Sequence, residues 1–284
     1  MIDPLLSTFV LVFAGLFGLV IGSFLNVVVY RVPAGIPLTR ESRCPHCGAA
    51  VKPWQNVPVA SWLALRGKCA NCGAPISARY PLVELATGIA FVGVVWALLD
   101  AFRLASLAQR PEPLATWALV AVGAAYLYFA SISIVLTLID LDTHRLPNAI
   151  VLPSYLVVGA LFTLACILGA DWASLLRAAI GGAILYAFYF VLRLIRPAGM
   201  GGGDVKLAGV VGMCLAWLGW GPLIVGAFAA FLLGGVFGLA LLLTRRAGRR
   251  TAIPFGPWML AGAWVGILAG DTIARWYLGF FFVA

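Results

Sequence analysis

Asp204 closes the run Gly199-Met200-Gly201-Gly202-Gly203-Asp204 and opens a long apolar stretch. Four glycines in five positions make a poor helix interior, because each costs backbone entropy. They do let a main chain turn sharply and approach another chain closely. An ionisable group at the mouth of a membrane span is a candidate functional site. Asp140 stands in the mirror situation, ending an apolar stretch just before Leu141-Asp142-Thr143-His144-Arg145-Leu146-Pro147-Asn148. Two carboxylates that converge can share a proton. One then draws a proton from water while the other hydrogen-bonds a scissile carbonyl, which is aspartyl peptide hydrolysis. Asp142 competes for the role. Asp140 is preferred because it abuts the apolar stretch, and Asp142 reads as a solvated loop residue or a partner of Asp140. His144 could relay protons, although a lone loop histidine is more often merely solvated. Gly201 and Gly203 are expected to leave room for an extended substrate backbone beside Asp204.

A second set of residues could hold a metal. Cys44-Pro45-His46-Cys47 and Cys69-Ala70-Asn71-Cys72 are two C-x-x-C knuckles with 21 residues between them, just beyond the usual zinc-ribbon range. Four thiolates from Cys44, Cys47, Cys69 and Cys72 would make a closed tetrahedral site for a structural zinc ion. A segment of roughly 50 residues with few core positions needs such a staple. Two disulfides or free thiols are the alternatives, the disulfides disfavoured if the segment is cytoplasmic. His46 is a weaker ligand candidate than the four cysteines. Cys166 and Cys214 lie in apolar stretches and read as small core residues.

The elements that must position these groups are membrane helices. The chain is 63% hydrophobic and 10% charged, with a mean hydropathy of +1.04, which excludes a soluble globule. The alternating pattern of an outer-membrane barrel is absent. Several apolar stretches reach the roughly 20 residues that cross a bilayer. The expected fold is an all-α polytopic membrane protein of about eight transmembrane helices with a small cytoplasmic zinc-ribbon-like domain. Spans fall near residues 9–30, 81–99, 114–139, 149–168 and 176–195, then twice within 205–245, and last over 258–282. The long run is broken by Gly219-Trp220-Gly221-Pro222. The first span lacks a basic lead-in and a clear cleavage site, and reads as retained. Three segments result: a first transmembrane helix (1–30), the cysteine-bearing domain (31–80), and a domain of about seven helices (81–284). All but four of the 19 Lys and Arg residues fall on the side of the cysteine domain; Arg103, Arg110, Arg177 and Arg275 are the exceptions. That side is therefore expected to be cytoplasmic, with both termini outside. The net charge of +9 reflects this orientation, with no nucleic-acid partner implied. Basic residues of the cysteine domain could also meet anionic membrane lipids.

Leu138-Ile139-Asp140-Leu141-Asp142 with Leu146-Pro147-Asn148, and Gly199 to Leu207, resemble the two signature segments of the bacterial type IV prepilin peptidases, GxGD-type intramembrane aspartyl proteases. The resemblance extends to Gly22-Ser23-Phe24-Leu25-Asn26, Tyr30-Arg31-Val32-Pro33, Arg79-Tyr80-Pro81-Leu82-Val83-Glu84-Leu85 and Ile253-Pro254-Phe255-Gly256-Pro257. It implies catalytic roles for Asp140 and Asp204 in cleaving a short basic leader from prepilins and pseudopilins, after a glycine and before a residue that is usually Phe. It also implies a multi-pass protein of the bacterial inner membrane with its active site facing the cytoplasm. Members with the cysteine domain also N-methylate the new amino terminus, using S-adenosylmethionine. No methyl-donor site is legible in the sequence. Arg66-Gly67-Lys68 and Trp54-Gln55-Asn56 match the family pattern without a chemical role to assign. Glu84 could bind an amine, or pair with Arg79 or Arg31. Gly202 occupies a variable position, and Asn148 stands where many members have Asp. Two rival readings remain at this point: a peptidase whose cysteine domain only binds substrate or stabilises the fold, and a transporter using the two aspartates as ion sites.

Overall fold

A computed structural model of the protein describes residues 4–107, 113–244 and 254–281. Among these, all regular structure is helical. Eight long helices carry the fold: α1 (Pro4–Arg31), α3 (Arg79–Leu107), α4 (Pro113–Thr143), α5 (Asn148–Ile167), α6 (Trp172–Ile195), α7 (Gly202–Leu218), α8 (Trp220–Leu243) and α9 (Gly256–Gly279), with a short α2 (Ala60–Ala64) between α1 and α3. Six of them, α1, α3, α4, α5, α6 and α8, are long and apolar enough to cross a membrane. With 17 residues, α7 sits at the short end of the spanning range. It is buried on every side, as expected of a helix that is apolar all round. In α9, Asp271 and Arg275 form an exposed ion pair one turn apart at 3.6 Å. Arg110 and Ile253, named above, and residues 245 and 282, where the last two long stretches were expected to end, lie outside the described residues.

The break expected near Gly219 falls there: α7 ends at Leu218 and α8 begins at Trp220. Pro222 is tolerated because it sits in the first turn of α8, where its missing N–H has no intrahelical partner to lose. At the end of α4 the helix runs further than the apolar pattern suggested, through Asp140 and Asp142 to Thr143. His144, at φ 52°, ends it.

The chain divides into two compact units, Met1–Val135 and Leu136–Ala284, with the boundary inside α4. In the first, α1 lies against α3 along small residues. A Cβ at Gly18 would fall 2.8 Å from the Cα of Gly88, and one at Gly22 would fall 2.7 Å from the Cα of Glu84. Lipid tails are as apolar as leucine, so helices in a bilayer associate through such close backbone contact. Polar tethers fasten the loop segment to this pair. The buried Arg31 donates to the carbonyls of Pro37, Leu38 and Arg40 and to the Ser42 hydroxyl. Asn26 donates to the carbonyl of Tyr80 at 3.1 Å. The Glu84 carboxylate accepts the Val59 N–H at 2.7 Å and a hydrogen bond from Ser23.

In the second unit α7 is central, touching α5, α6, α8 and α9. The α6–α7 seam runs through Gly181, Gly182, Gly209 and Gly212; a Cβ at Gly212 would fall 2.9 Å from the Cα of Gly182. The α8–α9 seam is built likewise, with Gly266 and Gly270 against Pro222. At the far end of α7, Arg177 of α6 donates to the carbonyls of Ala216 and Trp217, both at 2.6 Å. Those carbonyls have no partner within their own helix end, and the guanidinium satisfies them. Phe162 stacks on Trp217 there at 4.2 Å.

Candidate active site

Asp140 stands on the last turn of α4 and is buried, with 4% of its surface exposed. Its Oδ2 accepts the N–H of Gly256, the first residue of α9, at 3.1 Å. A helix N-terminus is a ready anion site, since its first amides lack intrahelical acceptors and the helix dipole favours negative charge. The neighbour Asp142 is turned by about 200° around the same helix and is exposed. His144 is exposed as well.

Asp204 lies in the first turn of α7. Its Oδ2 accepts the N–H of Gly201 at 3.1 Å, a carboxylate reaching back over its own helix start. Asp140 and Asp204 are within electrostatic reach of one another. Both carboxylates are thus held by the same device, one oxygen on a glycine amide at a helix N-terminus.

Leu146, from the α4–α5 connection, packs between the two devices. A Cβ at Gly203 would fall 2.7 Å from the Cβ of Leu146, and one at Gly256 would fall 3.4 Å from its Cδ2. The space expected beside Gly203 for substrate is therefore taken by Leu146, a Cβ at Gly201 would fall 3.0 Å from Asp204 Oδ2, and Gly202 lies against the guanidinium of Arg193. What the glycines admit is the protein's own close packing. From α5, Asn148 accepts from Lys206 Nζ at 2.9 Å, and the Tyr155 hydroxyl donates to the Lys206 carbonyl while its ring fills the notch at Gly209. Behind Gly256, Phe255 packs with Tyr189 and Phe231 at ring separations of 5.3 to 6.0 Å. Gly256, Leu146, Tyr155 and Tyr189 carried no assigned role in the sequence. The one available signal was a glycine between Phe255 and Pro257 at a helix start.

The cysteines form a separate cluster. Each knuckle is a tight turn closed in the same way: Cys44 N–H to Ala49 carbonyl (2.9 Å) and Gly48 N–H to Cys44 carbonyl (2.9 Å), matched by Cys69 to Ala74 (2.8 Å) and Gly73 to Cys69 (2.9 Å). Gly48 and Gly73 follow the second cysteine of each pair at φ 68° and 72°, the left-handed region open to glycine. The four sulfur atoms lie within 4.8 Å of one another, and Cys44 Sγ is 3.9 Å from Cys72 Sγ. Tetrahedral zinc–thiolate bonds of about 2.3 Å place sulfurs about 3.8 Å apart, so the set fits zinc. The N–H groups of Cys72 and Asn71 pull the Cys69 thiol down to about 6, and the Ala49 N–H lowers that of Cys47. Cys166 and Cys214 are buried in the helical core. Glu84 and Arg31 do not pair with each other; Arg31 is spent on the carbonyls of the loop it anchors and Glu84 on Val59.

Fold and site together define a multi-pass helical membrane protein with paired carboxylates at two helix N-termini and a four-cysteine cluster in a loop module. Residues 16–98 match the bacterial peptidase A24 N-terminal domain, and residues 127–239 match the type IV leader peptidase family. The chain is 38% identical to a prepilin leader peptidase/N-methyltransferase of Aeromonas hydrophila, over 93% of this chain and 92% of the relative. It is 34% identical to one of Pseudomonas aeruginosa over 93% and 92%, and 35% identical to one of Neisseria gonorrhoeae over 96% of each. No solved structure matches it. The chain belongs to the type IV leader peptidase family.

Proposed function

We propose that the protein removes the basic leader from type IV prepilins and pseudopilins at the cytoplasmic face of the bacterial inner membrane, with Asp140 and Asp204 as the catalytic pair. The observation that carries this is the matched fixation of the two carboxylates on the amides of Gly256 and Gly201. With one proton between them, the charged member takes a proton from water as the water oxygen attacks the scissile carbonyl carbon. The protonated member gives its proton to the carbonyl oxygen. The tetrahedral intermediate then collapses, the C–N bond breaks, and the leaving nitrogen receives a proton from the pair. The products are a leader ending in a carboxylate and a pilin with a free amine. The amides on the Oδ2 atoms confine proton traffic to the Oδ1 atoms.

Methyl transfer to the new amine, with S-adenosylmethionine as donor, comes to this chain from the names of its relatives. The amine nitrogen attacks the methyl carbon, the S–CH3 bond breaks, and a proton leaves the nitrogen. Cys44, Cys47, Cys69 and Cys72 would hold zinc, a closed four-thiolate structural site that fixes the loop module. The test is incubation of the purified protein with a prepilin and methyl donor, followed by the mass of the product. Loss of the leader with a gain of one methyl group is expected. Asp140→Asn and Asp204→Asn should each abolish cleavage, and turnover by either variant overturns the assignment.

A further inference from the structure

Between its two cysteine pairs the chain carries a short helical stretch that neither the metal cluster nor the carboxylate pair uses. Pro53–Asn56 form one 3-10 turn and α2 follows, joined by the Ser61 N–H to the Val57 carbonyl at 3.0 Å. Pro53, Trp54, Val57, Ala60, Leu63 and Ala64 are exposed along it. All six are apolar, and Asn56 is the one exposed polar residue among them; Val59, at φ 59°, separates the turn from α2, so the six lie on two short pieces. Trp54 is 55% exposed, Val57 48% and Leu63 62%. The opposite face is engaged: Trp62 donates Nε1–H to the Ile76 carbonyl at 3.0 Å and packs over Gly67. Scattered exposed apolar residues are ordinary, but a stripe of six within twelve consecutive positions marks an interaction surface.

Two further observations say what covers it. The first is depth. The Val59 N–H, at the head of α2, is bonded to Glu84, the sixth residue of the membrane-spanning α3. Five residues of helix rise are about 7–8 Å. The stripe therefore starts beside the first two turns of a span, where Leu82 and Leu85 of α3 are also exposed. The second is charge. From Arg31 to Arg79 the chain holds seven basic residues and one acid, Glu41, which is itself paired with Arg43 at 2.9 Å. Lys52 and Arg66 flank the stripe, and both are exposed.

We propose that residues 53–64 are a membrane-surface foot. Trp54, Val57 and Leu63 lie in the headgroup–acyl boundary of the leaflet where α1 leaves and α3 enters, while Lys52 and Arg66 meet anionic phospholipid headgroups. Tryptophan suits this depth, with an apolar ring system and one N–H to hydrate. An amphipathic segment gains its hold there from buried apolar area plus attraction to anionic lipid. The inference does not depend on the reaction the protein performs.

The test uses the full chain in nanodiscs, with a diazirine-bearing leucine analogue placed at position 54 or 63 and, for reference, at the exposed Asn71 of the second knuckle. Zinc content identifies any misfolded variant, which is then replaced by one labelled at position 57. After irradiation, lipid adducts at 54 and 63 should exceed those at 71 by about tenfold, as for a segment lying in the interface rather than above it. Replacing part of a phosphatidylcholine bilayer by phosphatidylglycerol should raise them by up to about 25-fold, about fivefold for each of the two basic residues, and Lys52→Gln with Arg66→Gln should remove that rise. Adducts confined to other residues of this chain, or to an added prepilin, would show a different occupant and overturn the proposal. So would lipid labelling no greater than at position 71. Labelling that ignores phosphatidylglycerol would remove the headgroup contact.

Discussion

Gly256→Ala is the sharpest probe of how the carboxylate pair is held. The added Cβ would sit 2.7 Å from Oδ2 of Asp140 and 3.4 Å from Cδ2 of Leu146. The first distance is shorter than real Cβ contacts allow, so either the Asp140 side chain rotates away or the start of α9 retreats. Either movement breaks the 3.1 Å bond from the Gly256 amide. Hydrogen bonds to a charged group contribute about 1.5–3 kcal/mol. Lost from the transition state, that corresponds to a fall of about 10- to 150-fold in kcat. KM should change little, since the amide touches the carboxylate and not the substrate. The assay is steady-state cleavage of a full-length prepilin in detergent, with methylation of a pre-cleaved pilin as internal control. Gly235→Ala, where a Cβ would meet nothing within 4 Å, is the matched neutral substitution. If Gly256→Ala cleaves at the wild-type rate, or loses only substrate affinity, the amide does not position Asp140 and the reasoning fails.

Other expectations follow from the same geometry. Asp142→Asn, on the exposed side of α4, should keep cleavage within a few-fold of wild type, in contrast to Asp140→Asn. Tyr155→Phe removes the hydroxyl on the Lys206 carbonyl; a neutral hydrogen bond contributes about 1 kcal/mol, so kcat should fall about fivefold with the melting temperature slightly lower. Cys44→Ser or Cys69→Ser should abolish stoichiometric zinc, measured by elemental analysis of the purified protein. Zinc retention should also fall on acidification. Backbone amides lower the Cys47 thiol and bring that of Cys69 to about 6, so the Cys69 contribution, complete above its ordinary value of 9.0, is lost as pH drops through about 6. Native mass measurement across that range would follow it. Glu84→Ala leaves the Val59 amide without its buried acceptor, at a cost of about 1–3 kcal/mol, and should open the 53–66 segment to proteolytic nicking before the helices unfold.

Much of this architecture could be read from the chain because its signals are local. An apolar run reports a span wherever it occurs, and Gly219-Trp220-Gly221-Pro222 marks a break without help from distant residues. The cysteine knuckles repeat one turn twice, so spacing alone announced a cluster. The buried side of α4 also followed from position, with Asp140 against the apolar run and Asp142 two residues on. The rest depends on partners far along the chain. The Gly256 amide reaches Asp140 across 116 positions, and no periodicity encodes such a bond. Leu146 could not be placed against Gly203, so that glycine was read as space for a substrate where a leucine packs. Glu84 looked like a partner for arginine; its acceptor capacity goes instead to the backbone of Val59, a residue with no polar side chain to advertise the contact. The far end of α4 was set short because charged residues end a hydropathy pattern sooner than they end a helix.

The glycine seam between α6 and α7 carries a final consequence. In water, a gap opened between two helices would be penalised by exposed hydrocarbon. In a bilayer an acyl chain simply fills it, and only dispersion and close dipole contact resist the separation. Fidelity of the seam therefore rests on atoms that are absent. A single methyl at Gly182 or Gly212 would wedge α7 away from its neighbour, and with it the turn that carries Asp204. Such a protein could stay folded, inserted and abundant while losing its chemistry, so loss-of-function alleles should collect at these glycines as readily as at the aspartates.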